Sequence, residues 1–308
     1  MPVIMRPYAG ENDKQAVLEL RRICTTPENV TDFPSLTDLH ELLNPLRNEQ
    51  HKYIRLWEDD NGQLLAYGNV LLPYCNLSFL VHPAWWQMNI VGEVIEYASE
   101  VVRRFGQERG EERTLDANCR DSDEQRLQVL LDAGFVRQAE ETPVLVRPLD
   151  GPLAEPELPA GFRLRHVRGE QEVEQCVELH RAAFGTQNMT VQGRLSIMQE
   201  PDYDPRGDLV IEAADALLVA YCICQVHPEE NAQSGRNWGH TDPIGVRPAF
   251  QRRGLGRAVL LGGLRYLQGR GVEMATFTTS SENRAMLGLG MSVGFRRLYS
   301  YVWLAKKV

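Results

Sequence analysis

Residues 3–24 (VIMRPYAGENDKQAVLELRRIC) align without a gap on residues 162–183 (FRLRHVRGEQEVEQCVELHRAA), so the chain repeats itself. Arg6 matches Arg165, Gly10 matches Gly169 and Glu11 matches Glu170; further along, Glu19, Leu20 and Arg22 match Glu178, Leu179 and Arg181. Each copy reads as a short strand, a turn at glycine and an amphipathic helix. Later landmarks keep the same order. An extended hairpin at 53–73, turning at Asp60-Asn61-Gly62 and followed by Ala66-Tyr67, matches 208–228 with Ala220-Tyr221. Val81-His82-Pro83 matches Val246-Arg247-Pro248. A strand carrying Asn118 precedes a helix ending at Gly134-Phe135, as its partner precedes one ending at Gly294-Phe295. Each half closes on a β-rich run, Pro143–Arg147 and Leu298–Leu304. Between the halves, residues 148–161 hold four prolines and read as a linker. The expected domains are 1–150 and 161–308, with the Pro-rich linker at 151–160.

A length of 308 residues suits two domains that each bury a core without staples. The net charge of −9 argues against nucleic acid or an anionic membrane as partner, and leaves room for a local basic pocket. The start lacks a signal-peptide apolar segment and no stretch approaches 18 apolar residues, so a cytoplasmic protein is expected. Six scattered cysteines form no CxxC pair; they are expected to be buried thiols, and no metal site is expected.

The stretch Thr241–Leu260 carries the chemistry. Ile244–Val246 reads as a strand end and Arg257–Arg270 as a helix, with apolar residues at 260, 264 and 267 and Gly271 suited to a C-cap. Between them, Gln251-Arg252-Arg253-Gly254-Leu255-Gly256 forms a turn whose glycines let the backbone point several N–H groups at one spot. The helix N-terminus adds partial positive charge, and Arg252, Arg253 and Arg257 flank it. Such a turn suits a pyrophosphate. It is no Walker A loop, since GxxxxGK[ST] is absent, and no Rossmann turn, since Val259 stands where a third small residue is needed. Glu273 lies at the distance of a ribose-binding acid only by chance.

These residues resemble the GNAT N-acetyltransferase signature, V-x-P leading to [RQ]-x-x-G-x-[GA], filled here by Val246, Pro248, Gln251, Gly254 and Gly256. The family's second signature, an Asn followed eleven residues later by Gly-Phe, is matched by Asn283 and Gly294-Phe295. The resemblance covers 161–308 well and 1–150 in outline. It implies an α/β (mixed α+β) fold of two GNAT-like domains, each a mostly antiparallel twisted sheet with helices on both faces. It further implies acetyl-CoA as co-substrate, its pantetheine arm paired with Ile244, Gly245 and Val246. The pyrophosphate would rest on N–H groups of 252–257, with Asn283 also in the site. In the first half Trp86, Asn89 and Val91 replace the signature residues, and bulky Trp and Met crowd the anion pocket, so that half reads as a scaffold.

The implied reaction is acetyl transfer to a primary amine of a small molecule or protein, without metal or covalent enzyme intermediate. Asp242 is the favoured base, against His240 and Glu212; a turn-forming Asp before Pro243 is the plainer reading of it. Gly290 stands where the family often has a Tyr acid, leaving Tyr299, Tyr301, Ser292 or water as donors. Two alternatives stand beside this reading: a non-catalytic acyl-CoA sensor, and an enzyme resembling mycothiol synthases, which join two such domains and use the second.

Overall fold

The computed structural model describes residues 2–34, 39, 40, 42, 43, 49–86 and 89–308. Its elements, in chain order, are β1 (Ile4–Pro7), α1 (Glu11–Cys24), β2 (Ile54–Glu58), β3 (Leu64–Leu71), β4 (Asn76–Val81), α2 (Ile90–Arg109), β5 (Thr114–Arg120), α3 (Glu124–Asp132) and β6 (Val136–Pro148). The series continues with β7 (Phe162–His166), α4 (Val173–Phe184), α5 (Val191–Met198), β8 (Asp208–Ala213), β9 (Leu218–Gln225), α6 (Pro228–Ser234) and β10 (Trp238–Val246). It ends with α7 (Leu255–Gly269), β11 (Met274–Thr278), α8 (Arg284–Ser292) and β12 (Arg296–Lys307). Two compact units emerge, residues 1–142 with 299–308, and residues 143–298.

In the first unit β1, β2, β3 and β4 form an antiparallel ladder, and β4 then runs parallel to β5. Residues 301–307 of β12 pair antiparallel with β5. Side chains alternate across the sheet, so Tyr67 joins the α1 core while its neighbour Ala66 joins the α2 core. The second unit repeats the plan: β7, β8, β9 and β10 are antiparallel, and β10 runs parallel to β11. Residues 144–148 of β6 complete it on β11.

The closing strands therefore do not stay with the halves in which they occur. The run 143–147 belongs to the second unit, and 299–304 to the first. An apolar, β-branched run announces a strand but not its partner, because strand pairing is non-local. The boundary between the units accordingly passes through β6 and β12, not through 151–160. That segment has no regular element but is held down: Gln268 Nε2 donates to the carbonyls of Leu149 (2.7 Å) and Gly151 (2.9 Å), and Leu153 and Leu158 pack on the second core.

The repeat is visible in a shared ion-pair cluster. Arg6 bonds Asp13 at 2.7 Å and, through Nε, Glu58 at 2.8 Å. Arg165 bonds Glu172 at 2.7 Å and, through Nε, Glu212 at 2.8 Å. The acid also takes a backbone N–H in each case, from Ala9 or Arg168. Glu212 is thereby a structural anion and not the alternative base. Gly10 and Gly169 both turn with positive φ (+123° and +83°), which explains their match. Asn118 lies within β5, and the counterpart of Asn283 in the first unit is Asp123. Each caps its helix, Asp123 accepting from the N–H of Arg126 (3.0 Å) and Asn283 from that of Met286 (3.1 Å).

All six cysteines are free and buried. Among the described residues, no helix is long and apolar enough to cross a membrane, and no group of three His, Cys, Asp or Glu is placed to hold a metal.

Candidate active site

In the second unit, β10 and β11 pair only over Trp238–Met274, Gly239–Ala275 and His240–Thr276. Past that point β10 continues to Val246 with a partner on its β9 side alone, after a bulge between Thr241 and Ile244. Bulges bend a strand and re-aim its side chains. Arg247 donates its N–H to Val219 O (2.8 Å), so by antiparallel alternation the N–H and C=O of Val246 point to the open side. That carbonyl receives Gln251 Nε2 at 3.2 Å.

The open edge of β10 leads into the predicted turn. Arg252 (φ +62°) and Gly254 (φ +82°) are both left-handed, and residues 251–254 are exposed. The first bond of α7 runs from Ala258 N–H to Gly254 O (3.0 Å), so the N–H groups of 254–257 lie ahead of the helical ladder. A Cβ on Gly256 would stand 3.4 Å from Leu289 and 3.5 Å from Val246, which places α7, α8 and β10 around one point. Ile244, Gly245, Val246 and Gln251–Arg257 thus run along one strand edge into one helix N-terminus, and Asn283 caps α8, whose Leu289 lies beside Gly256.

One residue of this corner escaped the sequence reading. Arg147, on β6, donates to Val293 O, and burial together with the nearby Arg257 guanidinium lowers its pKa. Two guanidinium groups raise the positive potential beside the first turn of α7. Its strand precedes the linker and reads as part of the first half, so nothing in the sequence marks Arg147 for this corner.

Asp242 lies in the bulge, accepting from Thr278 Oγ1 at 3.3 Å. Solvent reaches it, yet protein crowds around it, and that desolvation pushes its pKa up to about 6 despite the Thr278 bonds. His240 is half-buried with its ring 5.1 Å from that of His227; burial and that neighbour push its pKa down to about 3, which makes it a weak base. Tyr299 and Tyr301 belong to the first unit, bonded to Thr31 Oγ1 and Thr31 O. Ser292 donates to its own helix at Leu289 O (2.7 Å).

Gly290 is a packing glycine. A Cβ there would lie 2.5 Å from Phe277 Cζ. We expect Gly290→Tyr to lower stability by about 1–3 kcal/mol through overpacking, without gain of turnover. A thermal melt checks this; an unchanged melting temperature would mean that the ring finds another space.

The corresponding stretch of the first unit is built differently. β4 and β5 share only the registered pair Asn76–Asp116. Arg126, 9% exposed, lies 4.2 Å from the Phe79 ring, with the rings of Phe33 and Trp86 at 5.5 and 5.6 Å. Asn89, at the N-cap of α2, has φ −68° where Gly254 has +82°, and Val91 is buried in the core. Met88, the other bulky residue expected there, lies outside the described residues.

Residues 173–295 match the model of the acetyltransferase (GNAT) family. The chain is 34% identical over 155 residues to a mycothiol acetyltransferase of Thermobispora bispora, covering 49% of this chain and 52% of that one. It is 35% identical over 176 residues to one of Frankia casuarinae, covering 52% and 50%. The chain thus spans about half the length of the curated relatives it matches. Among solved structures, a GCN5-related N-acetyltransferase of Sphaerobacter thermophilus superposes with a TM-score of 0.68 at 23% identity, covering 99% of this chain and 95% of the other. A tandem GNAT protein of the clavulanic acid biosynthesis pathway superposes with a TM-score of 0.72 at 18% identity, covering 99% and 98%. The second half is a domain of the acetyltransferase (GNAT) family, set in a chain that has the fold of a tandem GNAT protein.

Proposed function

We propose that the second unit binds acetyl-CoA along β10 and transfers its acetyl group to the primary amine of a small molecule. The observation that carries this reading is the open edge of β10 running into a left-handed turn, a bare helix N-terminus and the guanidinium groups of Arg252, Arg253, Arg257 and Arg147. A pantetheine arm requires a free strand edge, and a pyrophosphate requires converging N–H groups. The curated relatives are named for mycothiol, which favours a small-molecule acceptor over a protein.

An alkylammonium with pKa ~10.4 must lose a proton before it attacks. Asp242, with its pKa raised to about 6, takes that proton directly or through water. As the N–C bond forms, the outward N–H at Val246 meets the developing oxyanion. The C–S bond then breaks, the thiolate leaves with the electron pair, and the second proton of the attacking nitrogen passes through water to the sulfur. A thiol pKa near ~8.5 makes that group leave without a protein acid, which accords with a glycine at 290.

The absence of a tyrosine at 290 favours a second reading, an acyl-CoA-binding protein that does not turn over. A coenzyme A release assay against a panel of primary amines separates the two. Amine-dependent release with an acetylated product supports the enzyme; acetyl-CoA binding with no release above hydrolysis for any amine supports the binding protein.

A further inference from the structure

The α4 side of β10 holds a hydrogen-bonded pair that the proposed chemistry does not use. Tyr221 on β9 lies opposite Gly245 in the ladder, and its hydroxyl bonds His180 Nδ1 on α4 at 2.7 Å. A Cβ on Gly245 would stand 2.6 Å from Tyr221 Cε1 and 2.8 Å from the Ala183 methyl. The tyrosine ring and α4 are therefore pressed directly on the backbone of β10, at the strand position whose neighbours form the open edge. The pair is fixed in place. Tyr221 is 6% exposed, His180 packs its ring 4.7 Å from Phe184, and the cavity beside them measures only about 10 Å³. Burial and the charge of Arg194 lower the pKa of His180, which keeps the ring neutral, and in its Nε2–H tautomer Nδ1 accepts from the phenol.

We propose that His180 and Tyr221 are positioning residues that hold the Gly245 backbone, and with it the pantetheine-binding edge of β10, in line for coenzyme docking. This rests on the reading of that edge as the docking site for acetyl-CoA. The pair acts on the pantetheine arm and not on the pyrophosphate turn, so the two halves of the coenzyme report on it separately.

Titration calorimetry with acetyl-CoA and with 3′-phospho-ADP, which lacks the pantetheine arm, tests the assignment on the full chain. Tyr221→Phe and His180→Ala should each weaken acetyl-CoA roughly five- to tenfold, the loss of one hydrogen bond, while 3′-phospho-ADP binds as to wild type. His180→Gln, whose side-chain oxygen accepts from the phenol, should recover most of the acetyl-CoA affinity. Unchanged acetyl-CoA binding in Tyr221→Phe and His180→Ala would overturn the inference alone. So would an equal loss for both ligands, since that is the mark of general destabilisation. A wild type that binds no acetyl-CoA would overturn the docking edge itself, and this inference with it.

Discussion

Gly254→Asp should weaken acetyl-CoA binding at least about a hundredfold, or roughly 2.7 kcal/mol, while the chain stays folded. Gly254 opens α7 with φ +82°, and a Cβ there meets nothing within 4 Å. The turn therefore has room for the side chain and suffers only the strain of a left-handed Asp, among the milder cases for a residue with a Cβ. The loss arises from charge. A carboxylate within a few ångströms of a pyrophosphate replaces attraction by repulsion, worth about 4 kcal/mol per pair of unit charges at an effective dielectric of 20. Gly254→Asn, with the same shape and no charge, should lose far less. Calorimetric titration of both variants measures the difference; equal losses would make the site steric, not electrostatic.

Asp242→Asn should lower amine acetylation by about 10²–10⁴, the range of general base assistance. The sign of the pH dependence follows from a raised carboxyl pKa. The base works only when ionised, so the wild-type rate should climb about tenfold per pH unit below about 6 and level off above it. The variant should lack that limb. Stability should move the other way: ionising Asp242 costs more in the fold than in the unfolded chain. Its contribution is thus present at low pH and lost as pH rises through about 6, and Asp242→Asn should melt no lower than wild type at pH 8. A pH–rate profile that keeps its acid limb in the variant would move the role of base to another group.

Much of this was readable in the residues, for local reasons. The glycine turns at 10, 169, 134 and 294 all have positive φ, a requirement a sequence states openly. The turn at 251–256 and the helix behind it follow from glycine spacing and helical periodicity within one short stretch. Long-range pairing was not readable. Pro143–Arg147 reads as a strand wherever it pairs, and nothing in it says that β11 is its neighbour. The contribution of Arg147 was lost with that pairing. Tyr299 and Tyr301 fall in the first unit for the same reason, since β12 delivers them there. Gly290 shows the limit of motif reading: an absent tyrosine reads as a missing acid, whereas the contact with Phe277 gives the glycine a packing duty of its own.

A single calorimetric titration of the full chain with acetyl-CoA bears most directly on the claim that a duplicated fold keeps one coenzyme site. One acetyl-CoA per chain is expected, because the second unit presents an open β10 edge and a bare α7 N-terminus, whereas in the first unit Asn89 has φ −68° and Arg126 lies against the Phe79 ring. Two equivalent sites, or one that survives intact in Gly254→Asp, would contradict it.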